Sequence, residues 1–163
     1  MSGQTRCCTI ALGSNQGNSR EILESSLQVL SNTPGIEVSK VSNWYKTKPV
    51  SDIPQPDYLN GCALLQVQQT PEELLTLLQA IELQFGRVRK RKWDARTLDL
   101  DILLYDDLIL DTPNLTIPHS LMNERAFVLV PLAEIAPDMQ DPRSQQTIAQ
   151  LAQAINRSGV ELA

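Results

Sequence analysis

The chain has 163 residues, 42% of them hydrophobic and 20% charged, the make-up of an ordinary soluble globular protein. A net charge of −5 and a pI near 4.8 argue against a nucleic-acid or anionic-membrane surface as the main partner. The length suits one domain with a sizeable core, and no apolar run approaches the ~18 residues that span a bilayer.

From Cys7 to Leu12 the chain reads as a first strand, followed by the turn-rich Gly13-Ser14-Asn15-Gln16-Gly17. Asn18 with Glu21 resembles a capping box, and Ile22, Leu23, Leu27 and Leu30 give a helix one apolar face before Pro34-Gly35 ends it. A long strand is expected from Ile36 to Thr47 and another from Leu59 to Val67, with Leu59, Ala63, Leu65 and Val67 on one face. Pro49, Pro54 and Pro56 make the stretch between them a loop. Thr70, Pro71 and Glu73 start a second helix, Gly86 ends it, and Leu74, Leu77, Leu78, Ile81 and Phe85 form its buried stripe.

A basic segment then precedes the strand Leu98-Asp99-Leu100-Asp101-Ile102-Leu103-Leu104-Tyr105. Asp106-Asp107 is read as a tight turn leading back through Leu108 to Leu110, as in a hairpin. A short extended piece runs from Asn114 to Ile117, an apolar segment from Phe127 to Leu132, and a last helix from Ile148 to Ile155. The order βαββαβ with extra pieces at the end predicts an α+β, ferredoxin-like antiparallel sheet in a three-layer αβα sandwich.

Alternation along a strand points Asp99 and Asp101 one way and Leu98, Leu100, Ile102 and Leu104 the other. Two carboxylates roughly 6.5–7 Å apart on one face can share hard cations. The cluster Arg87, Arg89, Lys90, Arg91, Lys92 and Arg96 holds six of the 14 Lys and Arg residues, a local anion site in an acidic protein. Acidic ligands beside guanidinium groups suit phosphoryl chemistry; a solvated edge strand after a basic loop accounts for the same pattern. Tyr58 and Asn60 share a face and could stack on and hydrogen-bond a flat heterocycle, or be a core tyrosine and a loop-closing amide. His119, the single histidine, excludes a multi-histidine zinc site; it could donate to phosphate or be structural. Gly13-Ser14-Asn15 lacks the ending of a phosphate-binding P-loop and reads as a plain turn. Cys7, Cys8 and Cys62 make neither a CxxC pair nor a metal-ligand spacing, and the start of the chain carries no signal-like apolar run. A reducing, cytoplasmic setting is expected.

Six stretches in order resemble the 6-hydroxymethyl-7,8-dihydropterin pyrophosphokinase family: Ala11-Leu12-Gly13-Ser14-Asn15, Tyr45-Lys46-Thr47-Lys48-Pro49-Val50, Gln55-Pro56-Asp57-Tyr58-Leu59-Asn60, Glu82-Leu83-Gln84-Phe85-Gly86-Arg87-Val88-Arg89, Arg96-Thr97-Leu98-Asp99-Leu100-Asp101, and Ile117-Pro118-His119 with Arg125-Ala126-Phe127. The resemblance implies transfer of pyrophosphate from ATP to the pterin hydroxymethyl group, releasing AMP, in folate biosynthesis. By that match two Mg²⁺ sit on Asp99 and Asp101, which with Arg87 and Arg96 form the catalytic set. Arg87, Arg89, Arg96, His119 and Arg125 clamp phosphates beside Trp93. Tyr58 and Phe127 sandwich the pterin, whose edge is read by Asn60 and the backbone of Thr47, Pro49 and Val50, near Arg125. Ile102, Leu115 and Thr116 line the adenine pocket, with Gln79 and Glu82 on the nucleotide side. The match departs where the family has Gly-Pro and this chain has Asp94-Ala95 before Arg96. The expected molecule is a monomer acting on ATP and the pterin, with no nucleic-acid or membrane partner. The rivals are another Mg²⁺-dependent nucleotidyl- or phosphotransferase and a non-catalytic ferredoxin-like binding module.

Overall fold

Residues 4–15, 18–47, 57–86 and 98–163 are described in the computed structural model of the protein. Strand β1 (Arg6–Ser14) lies inside the sheet, and its residues divide between two interiors. Cys8, Ile10 and Leu12 enter one apolar cluster, whereas Ala11 packs against the other. Helix α1 (Ser19–Ser31) follows, then β2 (Ile36–Val41), β3 (Tyr45–Thr47), β4 (Tyr58–Val67), helix α2 (Pro71–Gln84) and β5 (Asp99–Tyr105). The small strands β6 (Leu110–Asp111) and β7 (Thr116–Ile117), a 3-10 turn at Met122–Glu124, α3 (Ala126–Ile135), α4 (Ile148–Ala154) and β8 (Glu161–Leu162) complete the order. The main sheet runs β5-β1-β4-β3-β8, with β2 also on β4, and its pairings are antiparallel. Helices α1 and α2 cover one face, α3 and α4 the other, in the expected ferredoxin-like sandwich.

Helix α2 has the boundaries that its sequence demands. Thr70 Oγ1 accepts from the Glu73 backbone N–H at 3.2 Å, Glu73 Oε1 accepts from the Thr70 N–H at 2.9 Å, and Gly86 leaves at φ +81°. Leu74, Leu78 and Ile81 are sealed beneath it, each contributing about 1.5–3 kcal/mol of burial. The box expected at α1 does not form: Asn18 occupies the N-cap with no side-chain cap bond, its ψ of 44° lying outside the extended conformation that capping uses.

Three further expectations are corrected. The strand from Ile36 to Thr47 is two strands, because Trp44 turns into the core at 7% exposure across Gly61. A Cβ on Gly61 would lie 2.5 Å from the Trp44 ring, so only glycine lets the indole sit there. Ser42 covers the break, its Oγ accepting from the Cys62 N–H at 2.9 Å. The segment from Leu108 to Leu110 makes no hairpin with β5; β6 pairs with β7 instead. In β5, Thr9 pairs with Leu104 and Ile10 with Ile102, leaving Leu103 as an extra residue. This β-bulge puts Leu103 and Leu104 together in the second cluster and returns Tyr105 to the first, so Leu104 does not share the face of Leu98, Leu100 and Ile102. The apolar segment at Phe127 is helical, in α3.

Cys7, Cys8 and Cys62 are free thiols, and burial pushes those of Cys8 and Cys62 well up. Among the described residues, no helix is long and apolar enough to cross a membrane.

Asp141 ties the 3-10 turn to the segment before α4. At 2% exposure its carboxylate accepts from Asn123 Nδ2, Ser144 Oγ and the Arg143 N–H, each at 3.0 Å. Burial pushes this carboxyl up, but those hydrogen bonds outweigh it and hold it below the usual carboxylate range. The resulting stabilisation is complete above the unfolded value of about 3.9 and fades as pH falls through the depressed folded value. Asp141→Ala should therefore cost about 1–3 kcal/mol in urea unfolding at pH 7, and the gap from wild type should narrow at pH 3 and below. A gap independent of pH would contradict this account.

Candidate active site

The sheet face beneath α3 changes from apolar to polar along its length. Gly13 of β1 pairs with Asp99 on one side and Asn60 on the other, and Ala11 likewise with Asp101 and Cys62. Residues directly opposite one another share a face. Asp99 and Asp101 therefore stand across a strip of small residues from Asn60, two strand spacings or roughly 9–10 Å away. Asp99 is half-buried and Asp101 exposed, while Leu98, Leu100 and Ile102 point into the α1–α2 core. The alternation expected for the pair holds up to the bulge.

The amide of Asn60 has a defined orientation. Its Nδ2 donates to Thr47 Oγ1 at 2.9 Å, while a Cβ built on Gly13 would meet Asn60 Oδ1 at 2.9 Å. The carbonyl end thus lies over β1 because residue 13 has no side chain there. Tyr58 pairs with Thr47, and Asn60 with Tyr45, so an aromatic, a hydroxyl and an amide gather at this end of the face. Phe127, at the start of α3, packs half-buried against the second cluster, with the Arg125 guanidinium 5.5 Å from its ring centroid.

The bulge places His119. Its N–H donates to the carbonyl of Leu103, the extra residue of β5, at 3.0 Å. His119 Nδ1 accepts from the Leu121 N–H at 3.2 Å, so the neutral ring carries its proton on Nε2. Burial lowers the His119 pKa from its ordinary value; Asp101 acts in the opposite direction and Arg125 adds to the lowering. Those two charges are thereby brought into one electrostatic neighbourhood with the imidazole.

On the other side of the sheet Ile102 is buried in the first cluster and Leu115 packs against the same cluster. Thr116 is half-buried in β7, and Gln79 is exposed on α2. Glu82, near the end of α2, is buried at 5% exposure, and its Oε2 accepts from the Leu100 N–H at 2.8 Å. Pro49, Val50, Arg87, Arg89, Trp93 and Arg96, with Asp94-Ala95, lie outside the described residues.

One pairing escaped the sequence reading. Glu134 of α3 accepts from the Tyr45 hydroxyl at 2.6 Å and from the Asn43 N–H at 2.7 Å, strapping α3 to the β3 end of the sheet. Burial, then the Glu134 carboxylate, push the Tyr45 phenol up to about 12, so it stays a donor at neutral pH. Glu134 lies seven residues beyond Phe127 and so on the same helix face. As the one charge between Ala126 and Ile135, it was the signal available.

Comparison with known proteins follows the same lines. The family model of 7,8-dihydro-6-hydroxymethylpterin-pyrophosphokinase matches residues 9–137. A Synechocystis 2-amino-4-hydroxy-6-hydroxymethyldihydropteridine pyrophosphokinase is 48% identical over 157 residues, covering 96% of this chain and 80% of that protein. The protein of that name from Pseudomonas aeruginosa is 43% identical over 152 residues, covering 93% of each. Crystal structures of Plasmodium falciparum HPPK-DHPS share the fold: a triple mutant with SDX-DHP gives a TM-score of 0.74 at 15% identity over 93% of this chain, and the wild type with pteroate 0.73 at 13% over 94%. This chain spans only 42% and 43% of those two chains. With a family model matched from Thr9 through the whole described site to Pro137, the chain belongs to the 7,8-dihydro-6-hydroxymethylpterin-pyrophosphokinase family.

Proposed function

We propose a division of labour for this family's reaction, transfer of pyrophosphate from ATP to the hydroxymethyl group of 6-hydroxymethyl-7,8-dihydropterin with release of AMP. The observation that carries it is the paired row Asp99–Gly13–Asn60 beside Asp101–Ala11–Cys62. It sets two carboxylates and an amide on one face with only Gly13 and Ala11 between them, which supports reading them as cation ligands and a heterocycle reader. The pterin lies over Gly13 and Ala11 between the rings of Tyr58 and Phe127. Asn60 Nδ2 is committed to Thr47, so its Oδ1 is left to accept from a pterin N–H. The hydroxymethyl group is then directed toward β5.

Asp99 and Asp101 would hold two Mg²⁺, and their donor chemistry fits that ion. Magnesium takes hard oxygen ligands, keeps several waters and needs only one or two carboxylates when phosphates complete its shell. Among the described residues no group of three or more His, Cys, Asp and Glu could hold a metal, so substrate oxygens would be needed as partners. When bound, Mg²⁺ neutralises charge on the phosphate oxygens. His119 offers its Nε2 proton, and Arg125 its guanidinium, to the same anion, joined by Arg87, Arg89 and Arg96. Trp93, Pro49 and Val50 keep the roles that the family resemblance implies. Ile102, Leu115 and Thr116 hold the adenine, with Gln79 beside the nucleotide. Most of the catalytic effect then comes from positioning and fixed charge.

Asp99→Ala and Asp101→Ala should each lower turnover about 100-fold or more, while unfolding free energy moves by less than about 1 kcal/mol. Near wild-type turnover in either variant would remove the pair from the site. Gly13→Ala should displace the Asn60 carbonyl and weaken pterin binding by roughly tenfold, about 1.4 kcal/mol, with MgATP affinity within about twofold of wild type. Titration calorimetry with each ligand separates the two effects; unaltered pterin affinity would mean that Asn60 does not read the pterin.

A further inference from the structure

We infer that Glu82 is a positioning residue that holds the aspartate strand in place from its outer edge, acting through the Leu100 backbone rather than by touching the nucleotide. The inference rests on the reading of Asp99 and Asp101 as cation ligands. Among the described residues strand β5 ends the sheet order, with a strand neighbour on one side only. A strand in that position lacks half of its ladder and frays more readily than an interior one. Leu100 sits between the two aspartates and pairs with Leu12, yet its N–H goes to Glu82 Oε2 at 2.8 Å. The bond therefore anchors β5 at the residue flanked by both carboxylates.

The anchor is itself rigid. Glu82 is 5% exposed and sits on α2, whose start is fixed by the Thr70–Glu73 box and whose stripe is sealed at Leu74, Leu78 and Ile81. A carboxylate is seldom buried without strong donors, and a bond from an N–H to an ionised oxygen is shorter and stronger than a neutral one. The Leu100 side chain is also fixed, at 4% exposure within the first cluster. With side chain and N–H both held, the residues on either side have little freedom to tilt. Productive sites tolerate displacements of only about 0.5 Å, so release of this one N–H reaches the chemistry.

The test compares Glu82→Gln, which is neutral but still reaches Leu100, with Glu82→Asp, which keeps the charge but is one methylene too short. Amide exchange of Leu100 is measured by NMR in the whole chain without nucleotide or metal, beside steady-state kinetics. Glu82→Asp should speed Leu100 exchange about tenfold or more, and Glu82→Gln should stay within about threefold of wild type. Turnover should follow the same order: kcat falls about 10- to 100-fold in Glu82→Asp and by clearly less in Glu82→Gln, with pterin affinity unchanged within about twofold in both. Unaltered Leu100 exchange in Glu82→Asp, or a Glu82→Gln enzyme as slow as Glu82→Asp, would overturn the inference, the latter by assigning the effect to charge. Failure of the cation-ligand reading would instead show as normal turnover in Asp99→Asn and Asp101→Asn, with the exchange result untouched.

Discussion

Strand β1 pairs on both sides, with Asp99 and Asn60 meeting across Gly13 and with Asp101 and Cys62 meeting across Ala11. A slip of one residue against β5 would turn both aspartates into the α1–α2 core and expose Leu100 and Ile102. The slip is resisted because Leu98, Leu100 and Ile102 fill that core and because β1 commits Cys8, Ile10 and Leu12 to the same cluster. The register that buries the leucines is thus the register that presents the carboxylates. Stability and site geometry have one cause here.

The two faces of the sheet differ in what they ask of the chain. Beneath α1 and α2 packing is continuous and apolar, which gives β5 a firm backing. Beneath α3 and α4 the apolar contacts centre on Leu103, Leu104, Leu129 and Leu132, and the face beyond them carries Asn60, Asp99 and Asp101. Polar side chains can occupy that end because they are bonded in place, Asn60 to Thr47 and Tyr45 to Glu134. The bulge at Leu103 marks the boundary between the two regions and presents the carbonyl that holds His119. A local irregularity of the strand and the placing of the His119 backbone are therefore one feature.

Much of this was legible in the residues themselves. The Thr70-Pro71-Glu73 start, the α2 stripe and the spacing of Asp99 and Asp101 each state a local rule that the fold obeys, and the order of the elements carried the topology. What escaped depends on contacts distant in sequence. Nothing near Leu103 announces an extra residue, since the bulge arises from pairing with Thr9 and Ile10. The break between β2 and β3 needs the absence of a side chain at Gly61 to admit Trp44. Glu82 was assigned to the nucleotide side by resemblance alone, and its bond to a backbone N–H in β5 leaves no mark in the sequence. Asn18 shows the opposite failure, a correct residue type for a cap whose backbone does not adopt the capping conformation.

The central claim is that this face brings the pterin hydroxymethyl group to the β-phosphorus of ATP. Phosphorus NMR of the products formed from ATP, Mg²⁺ and 6-hydroxymethyl-7,8-dihydropterin tests it most directly. The account predicts AMP and a pterin diphosphate in equal amounts, and no AMP when the pterin is omitted. Formation of ADP with a pterin monophosphate, or release of free pyrophosphate with a nucleotidylated pterin, would contradict it.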